Sequence, residues 1–243
     1  MRHLRNRGFL IMPSWVNMPL PPFIARPLFN VVYKINRRAS PIPPIKRIVQ
    51  LPSADERSAF DLLLDSSLAQ GPNTLVEYNL SYPKVDFLNY ICDWRGYVAH
   101  GSPLQHFTTL QPVRLTGDSS EFGNRRQIFC SPDGTWALWF AVLDKSKIHL
   151  TENGCVRLGH GPGRIKFYHF DLPAKNKSNP PFTDGMVYIA NAVDFPEHRP
   201  YPILDWFDAE IEEWGSAGPV IPLAKLRVSP MDFPYLDKVQ FYL

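Results

Sequence analysis

The sequence predicts an α+β domain in which helices come first and strands come late. Three observations predict it. A capped helical period opens at Ser53, a second helical period follows Pro83, and from Lys147 onward short apolar segments alternate with turn residues. The regular strand-helix-strand alternation of a doubly wound sheet is missing, which places the chain in the α+β class.

Each element has a local reason. Ser53-Ala54-Asp55-Glu56 is a capping box, in which the serine oxygen takes a free helix N–H and the glutamate reaches back. Phe60, Leu63, Leu64 and Leu68 follow at helical spacing until Gly71-Pro72 stops the run. A strand around Leu75 to Tyr78 leads to Pro83, which suits the first turn of a second helix carrying Val85, Phe87, Leu88 and Ile91. Gly96 ends that helix, and Tyr97 to Ser102 reads as a strand ending in a turn. A polar passage from Pro103 to Asn124 is expected to form a loop over a pocket. Gln127 to Cys130 is a strand, and Ser131 with Pro132 is expected to cap a third helix, apolar on much of its circumference through Trp136, Ala137, Trp139, Phe140, Ala141 and Leu143 and therefore buried. The late strands are expected at Ile148 to Leu150, Cys155 to Leu158, Ile165 to Phe170, Met186 to Ala190, Val220 to Val228 and Val239 to Tyr242. Gly159 to Gly163 is Gly-rich, but Pro162 and the strand that follows contradict a phosphate cradle, so a hairpin turn is the reading.

A chain of 243 residues holds one domain of ordinary size, and 44% hydrophobic with 20% charged residues fits a globular one. The net charge of +3 is too small to imply a nucleic-acid partner for the whole molecule, yet it is unevenly spread. Nine Lys or Arg precede Asp55 with no acidic residue among them. Residues 1–52 are therefore expected to be a basic, Pro-rich arm, packed partly on the domain or disordered, with 53–243 as the domain. The arm suits weak contact with nucleic-acid phosphates, and its Arg-rich start is compatible with mitochondrial targeting. A cytoplasmic or nuclear protein is the default otherwise. Cys92, Cys130 and Cys155 show no CxxC spacing, so neither a disulfide framework nor a zinc site is indicated, and no apolar run approaches a membrane span.

The residues that carry chemistry begin with His100-Gly101-Ser102 at the end of a strand. Gly101 permits close approach to the main chain, and His100 and Ser102 add polar edges. An aromatic, Phe129, stands on a second strand that enters a helix, and an acidic cluster, Glu210, Glu212 and Glu213, precedes the late Pro-bracketed run. Histidine, aromatic and glutamate in this order and in these contexts resemble the His-Tyr-Glu triad of ADP-ribosyltransferases of the diphtheria-toxin and poly(ADP-ribose) polymerase type. Phe129 stands where that family has tyrosine.

The resemblance, which covers roughly Tyr97 to Val228, implies an ADP-ribosyltransferase-like split antiparallel β-core with N-terminal helices. It implies NAD as substrate, cleavage of the nicotinamide-ribose bond, and transfer of ADP-ribose to water or to an unidentified protein or nucleic-acid acceptor. The implied roles are carboxamide binding by Gly101 with Ser102 assisting, a ribose hydroxyl bond from His100, ring stacking on Phe129, and catalysis by Glu213. Glu213 before Trp214 matches the polymerase branch. The alternative register takes Glu210 and Glu212 as the E-x-E pair of arginine-modifying toxins, and in a strand those two carboxylates share one face while Glu213 takes the other. Arg125 and Arg126 either approach the NAD pyrophosphate or face solvent, and His160 and His169 read as structural. Two other functions stand beside the enzyme: a catalytically silent domain of the same fold that binds a nucleotide or protein, and the RNA 2′-phosphotransferase branch, whose arginine-rich pattern is not found.

Overall fold

Three sheets organise the chain, which a computed structural model describes at Ile24 and residues 45–112, 120–148, 151–200 and 208–242. Residues 1–23 and 25–44 of the basic arm, its targeting-like start included, lie outside the described residues, as do 113–119 of the polar loop and 149–150 of the strand expected at Ile148 to Leu150. The first sheet runs β1 (Ile45–Ile48), β6 (Ile165–Pro173), β5 (Glu152–Leu158), β9 (Ala209–Ile211), with β12 (Gln240–Tyr242) added beside β6. The second runs β2 (Thr74–Leu75), β11 (Ala224–Val228), β7 (Gly185–Asn191), β3 (Tyr97–Ser102). The third is small: β4 (Ile128–Cys130), β10 (Trp214–Ser216), β8 (Glu197–His198). Pairing is antiparallel except between β2 and β11 and between β6 and β12. With the helices α1 (Ala54–Leu68), α2 (Lys84–Trp94) and α3 (Gly134–Val142), this is a mixed α+β fold.

Helix α3 holds the two large sheets together. Its sequence is apolar nearly all round, and Trp136 to Trp139, Ala141 and Val142 are buried. On one side Trp139 packs 4.9 Å from Phe170 of β6. On the other, the helix backbone lies directly on β3 and β7, because Gly101 and Gly185 carry no Cβ there: a Cβ on either would overlap the carbonyl oxygen of Ala137 or Ala141. The close approach expected of Gly101 is thus first an approach to a helix.

Several expectations are corrected in detail. Ile45–Ile48, expected within the arm, belongs to the first sheet: β1 pairs with β6 along four residues and Arg47 reaches Asp93 and Asp133, both at 2.8 Å. Helix α3 is capped by Asp133, whose carboxylate accepts the Trp136 N–H at 2.7 Å, while Ser131 still pairs with Ala99 and cannot open the helix. Of Val220 to Val228 only Ala224–Val228 is a strand; Val220 bridges to Leu110, and Pro222 can donate nothing to a ladder. The capping box at Ser53 and Glu56 and the hairpin turn after Leu158 are present as expected.

Candidate functional site

β3 and β4 meet at one point and then part. Ala99 and Ser131 exchange both main-chain hydrogen bonds, at 2.9 Å each, and this bridge is isolated. Main-chain groups alternate from edge to edge along a strand, so Gly101, two residues on, turns its N–H and C=O toward the same side, away from β7. Continuing the register would set Gly101 opposite Phe129, but the two strands no longer pair there. Instead His100 Nδ1 donates to the Phe129 carbonyl at 2.6 Å. A carbonyl can only accept, so Nδ1 bears the hydrogen.

The parting opens a cleft of about 940 Å³, within the range of small-molecule sites. His100, Gly101, Ser102, Phe129 and Glu213, which come from three separate parts of the chain, all line it. The polar loop contributes Leu104, Phe107 and Leu110, so its described part flanks a pocket.

Glu213 reaches the cleft because the chain bends just before it. Glu212 N–H donates to the Cys155 carbonyl at 3.0 Å, closing the pairing with β5, and Glu213 N–H turns back to Ile211 at 2.8 Å. The chain then joins β4 through β10, where Trp214 faces Cys130. Ser131 fastens the bend by donating its hydroxyl to the Glu212 carbonyl at 2.7 Å. The Glu213 carboxylate accepts from Arg199 Nη1 at 2.6 Å, and Arg199 lines the cleft with it.

Glu212 and Glu210 serve a different purpose. Both bind Arg157, at 3.0 and 2.6 Å, which is the shared face expected of that pair. Glu212 also meets Lys166 Nζ at 2.7 Å. Lys166 is 1% exposed and further contacts Asp93 at 2.9 Å and Asp133 at 3.1 Å. Burial works against its charge, but Glu212, Asp133 and Asp93 outweigh it and hold the ammonium well above the ordinary lysine range. For Asp133 burial likewise opposes the charged form; Lys166, Arg47, the Trp136 N–H and the Tyr168 hydroxyl overcome it and keep the carboxyl far below its usual value. Burial pushes Glu212 up, against the pull of Lys166 and Arg157. This internal network fixes the strand end from which Glu213 projects.

Some cleft residues carried no sequence signal. Trp136 and Phe140, one turn apart on α3, looked like core positions, yet both border the cleft, as do Asn153 and His169, the latter read from the sequence as structural. Conversely, Arg125 and Arg126 stay outside the lining: Arg125 pairs with Glu121 and Glu197, and Arg126 donates to the Pro112 carbonyl. His160 sits on the exposed hairpin turn, 2.7 Å from Asp208. Among the described residues no helix is long and apolar enough to cross a membrane. Comparison with family models, with curated proteins and with solved structures finds no match to this chain.

Proposed function

We propose that the cleft takes the nicotinamide end of NAD and that the protein is an ADP-ribosyltransferase-like enzyme, built on the split β-core of the diphtheria-toxin and poly(ADP-ribose) polymerase type. The observation that carries this reading is the convergence of His100, Phe129 and Glu213 on one hollow at the point where β3 and β4 separate.

The chemistry follows from what each group faces. The main-chain N–H and C=O of Gly101 match the two ends of a carboxamide, and Phe129 and Phe140 supply apolar ring faces for a flat heterocycle. His100, oriented by the Phe129 carbonyl, is the partner of a ribose hydroxyl. As the bond between nicotinamide and ribose lengthens, positive charge grows on the ribose, and a carboxylate held ready in a half-enclosed site stabilises it without reorganising. Glu213 is that carboxylate, and Arg199 Nη1, 2.6 Å away, holds it in place. NAD is substrate here, and ADP-ribose passes to water or to an acceptor.

Two features favour a second reading, a silent binding module. Phe129 lacks the hydroxyl of the family's tyrosine, and the Glu213 carboxylate is already paired with Arg199. The two are separated by incubating the protein with NAD and measuring free nicotinamide beside Glu213→Gln and His100→Ala. Turnover that is lost in both folded variants supports the enzyme. NAD binding with no nicotinamide released, unchanged in Glu213→Gln, supports the module.

A further inference from the structure

The cleft continues past Glu213 into a wall made by β5, β6 and α3, and the geometry of that wall points to a second histidine in the reaction. In β6 every residue from Ile165 to Leu172 is buried except His169, which is half-buried and lines the cleft. Its strand partner is Gly154. A Cβ on Gly154 would stand 2.6 Å from His169 Cε1, so the imidazole leans across the strand into space that only glycine leaves. Gly154 is followed by Cys155, whose carbonyl receives the Glu212 N–H, so the ring lies beside the bend that delivers Glu213. Next to it Trp136 Nε1 donates to Asn153 Oδ1 at 2.8 Å, which fixes the amide and leaves its NH2 group as a donor for an incoming oxygen.

We infer that His169 is the proton acceptor for the group that attacks the ribose, and that this group is a hydroxyl, of water or of an alcohol. The inference rests on the NAD reading of the cleft. The bond from the ribose C1′ to nicotinamide breaks, its electron pair goes to the pyridinium nitrogen, and neutral nicotinamide leaves. The acceptor oxygen bonds to C1′, and its proton passes to an imidazole nitrogen of His169 and then to solvent. A hydroxyl needs such a base, whereas a carboxylate acceptor has no proton to lose. Imidazole is the side chain whose ordinary pKa suits that exchange near neutrality, and Glu213 is already committed to Arg199.

The test follows nicotinamide release from NAD over roughly pH 5 to 9, with NAD affinity and melting temperature measured on the same proteins. The wild-type protein is expected to show a rate that rises with pH through one ionisation. His169→Asn should be slower by about 10² or more, with that ionisation gone and NAD affinity kept. Added imidazole should restore part of the rate to His169→Ala, which a merely structural histidine would not allow. Gly154→Ala, which displaces the ring without removing it, should lower the rate in the same sense and carries the comparison if the His169 variants do not fold. A His169→Asn or Gly154→Ala protein that keeps the wild-type rate and pH profile overturns the assignment of the base and leaves the NAD reading standing. A wild-type protein that releases no nicotinamide at any pH overturns both.

Discussion

His100 Nδ1 and the carbonyl oxygen of Phe129 lie 2.6 Å apart, across the gap where two strands that pair at Ala99 and Ser131 have ceased to pair. The imidazole takes up a main-chain acceptor that the ladder has released, and in return its ring is held at the cleft wall, tilted 47° against Tyr188 at 6.1 Å. The histidine thus stitches the split and faces the cleft at once. His100→Ala should therefore lose on both counts: stability by about 1 kcal/mol for the lost hydrogen bond, and nicotinamide release by about tenfold or more for the contact to substrate proposed above. His100→Asn, which can keep one of the two bonds, should recover part of the stability but not the rate. Thermal melting beside a nicotinamide assay distinguishes the two losses.

A different penalty is expected at Gly101. The obstacle to a Cβ is the carbonyl of Ala137 inside α3, a backbone atom that cannot swing aside as a side chain would. Gly101→Ala should cost about 3 kcal/mol, the upper part of the overpacking range, or roughly 6–12 °C in melting temperature for a domain of this size. A melting temperature within two or three degrees of wild type, measured by calorimetry, would show that α3 does not press on β3.

These two residues show what the sequence made legible. The strand-ending histidine, the aromatic strand before a helix and the late glutamate could be picked out because each combines a residue type with a local context. The capped helices and the strand-rich second half were likewise visible as periods and punctuation. The place of β1 was not, since Ile45 to Ile48 is short and lies among prolines, and its partner β6, with Lys166 opposite Arg47, is far away in the chain. Trp136, Phe140 and His169 were hidden for another reason. Trp136 and Phe140 fit a core by residue type and His169 reads as a structural histidine, and only the tertiary fold brings all three to the cleft wall, Trp136 staying buried there. Glu212 and Glu213 could be sorted by strand alternation, but the bend between them is set by contacts to Cys155 and Ser131 that no local pattern announces.

The Lys166 network should govern stability and its dependence on acid. Lys166→Met leaves Asp93, Asp133 and Glu212 facing one another with only the arginines to answer them, a loss of about 3–5 kcal/mol for a broken buried pair. Asp133 and Asp93 are both held below the ordinary carboxylate pKa: burial opposes this in each, and Lys166 and Arg47 overcome it. A depressed folded pKa contributes stability that is fully present above the unfolded value, about 3.9, and is lost as the pH falls below it. Wild-type melting temperature should therefore drop steeply below about pH 4, and Lys166→Met, whose carboxylates are less depressed, should start lower at pH 7 and fall less. At the alkaline end the sign reverses. The raised Lys166 pKa contributes stability that is present below the unfolded lysine value, about 10.4, and is lost only as the pH climbs through the folded one.

Adjacent glutamates provide the sharpest separation of site from scaffold. Glu213 lines the cleft and binds Arg199, whereas Glu212 is 3% exposed and binds Lys166 and Arg157. Glu213→Gln keeps the shape of the side chain, so the melting temperature should move little, while the loss of a charge facing the developing positive ribose should slow nicotinamide release by about 10²–10³, or roughly 3–4 kcal/mol of transition-state stabilisation. Glu212→Gln should do the opposite, costing about 1–3 kcal/mol of stability through unpaired buried cations and slowing the reaction only as far as the bend at Glu212 loosens. Both variants, measured by melting and by nicotinamide release at one pH, give four numbers. If Glu212→Gln abolishes release and Glu213→Gln does not, the catalytic carboxylate has been assigned to the wrong side of the strand.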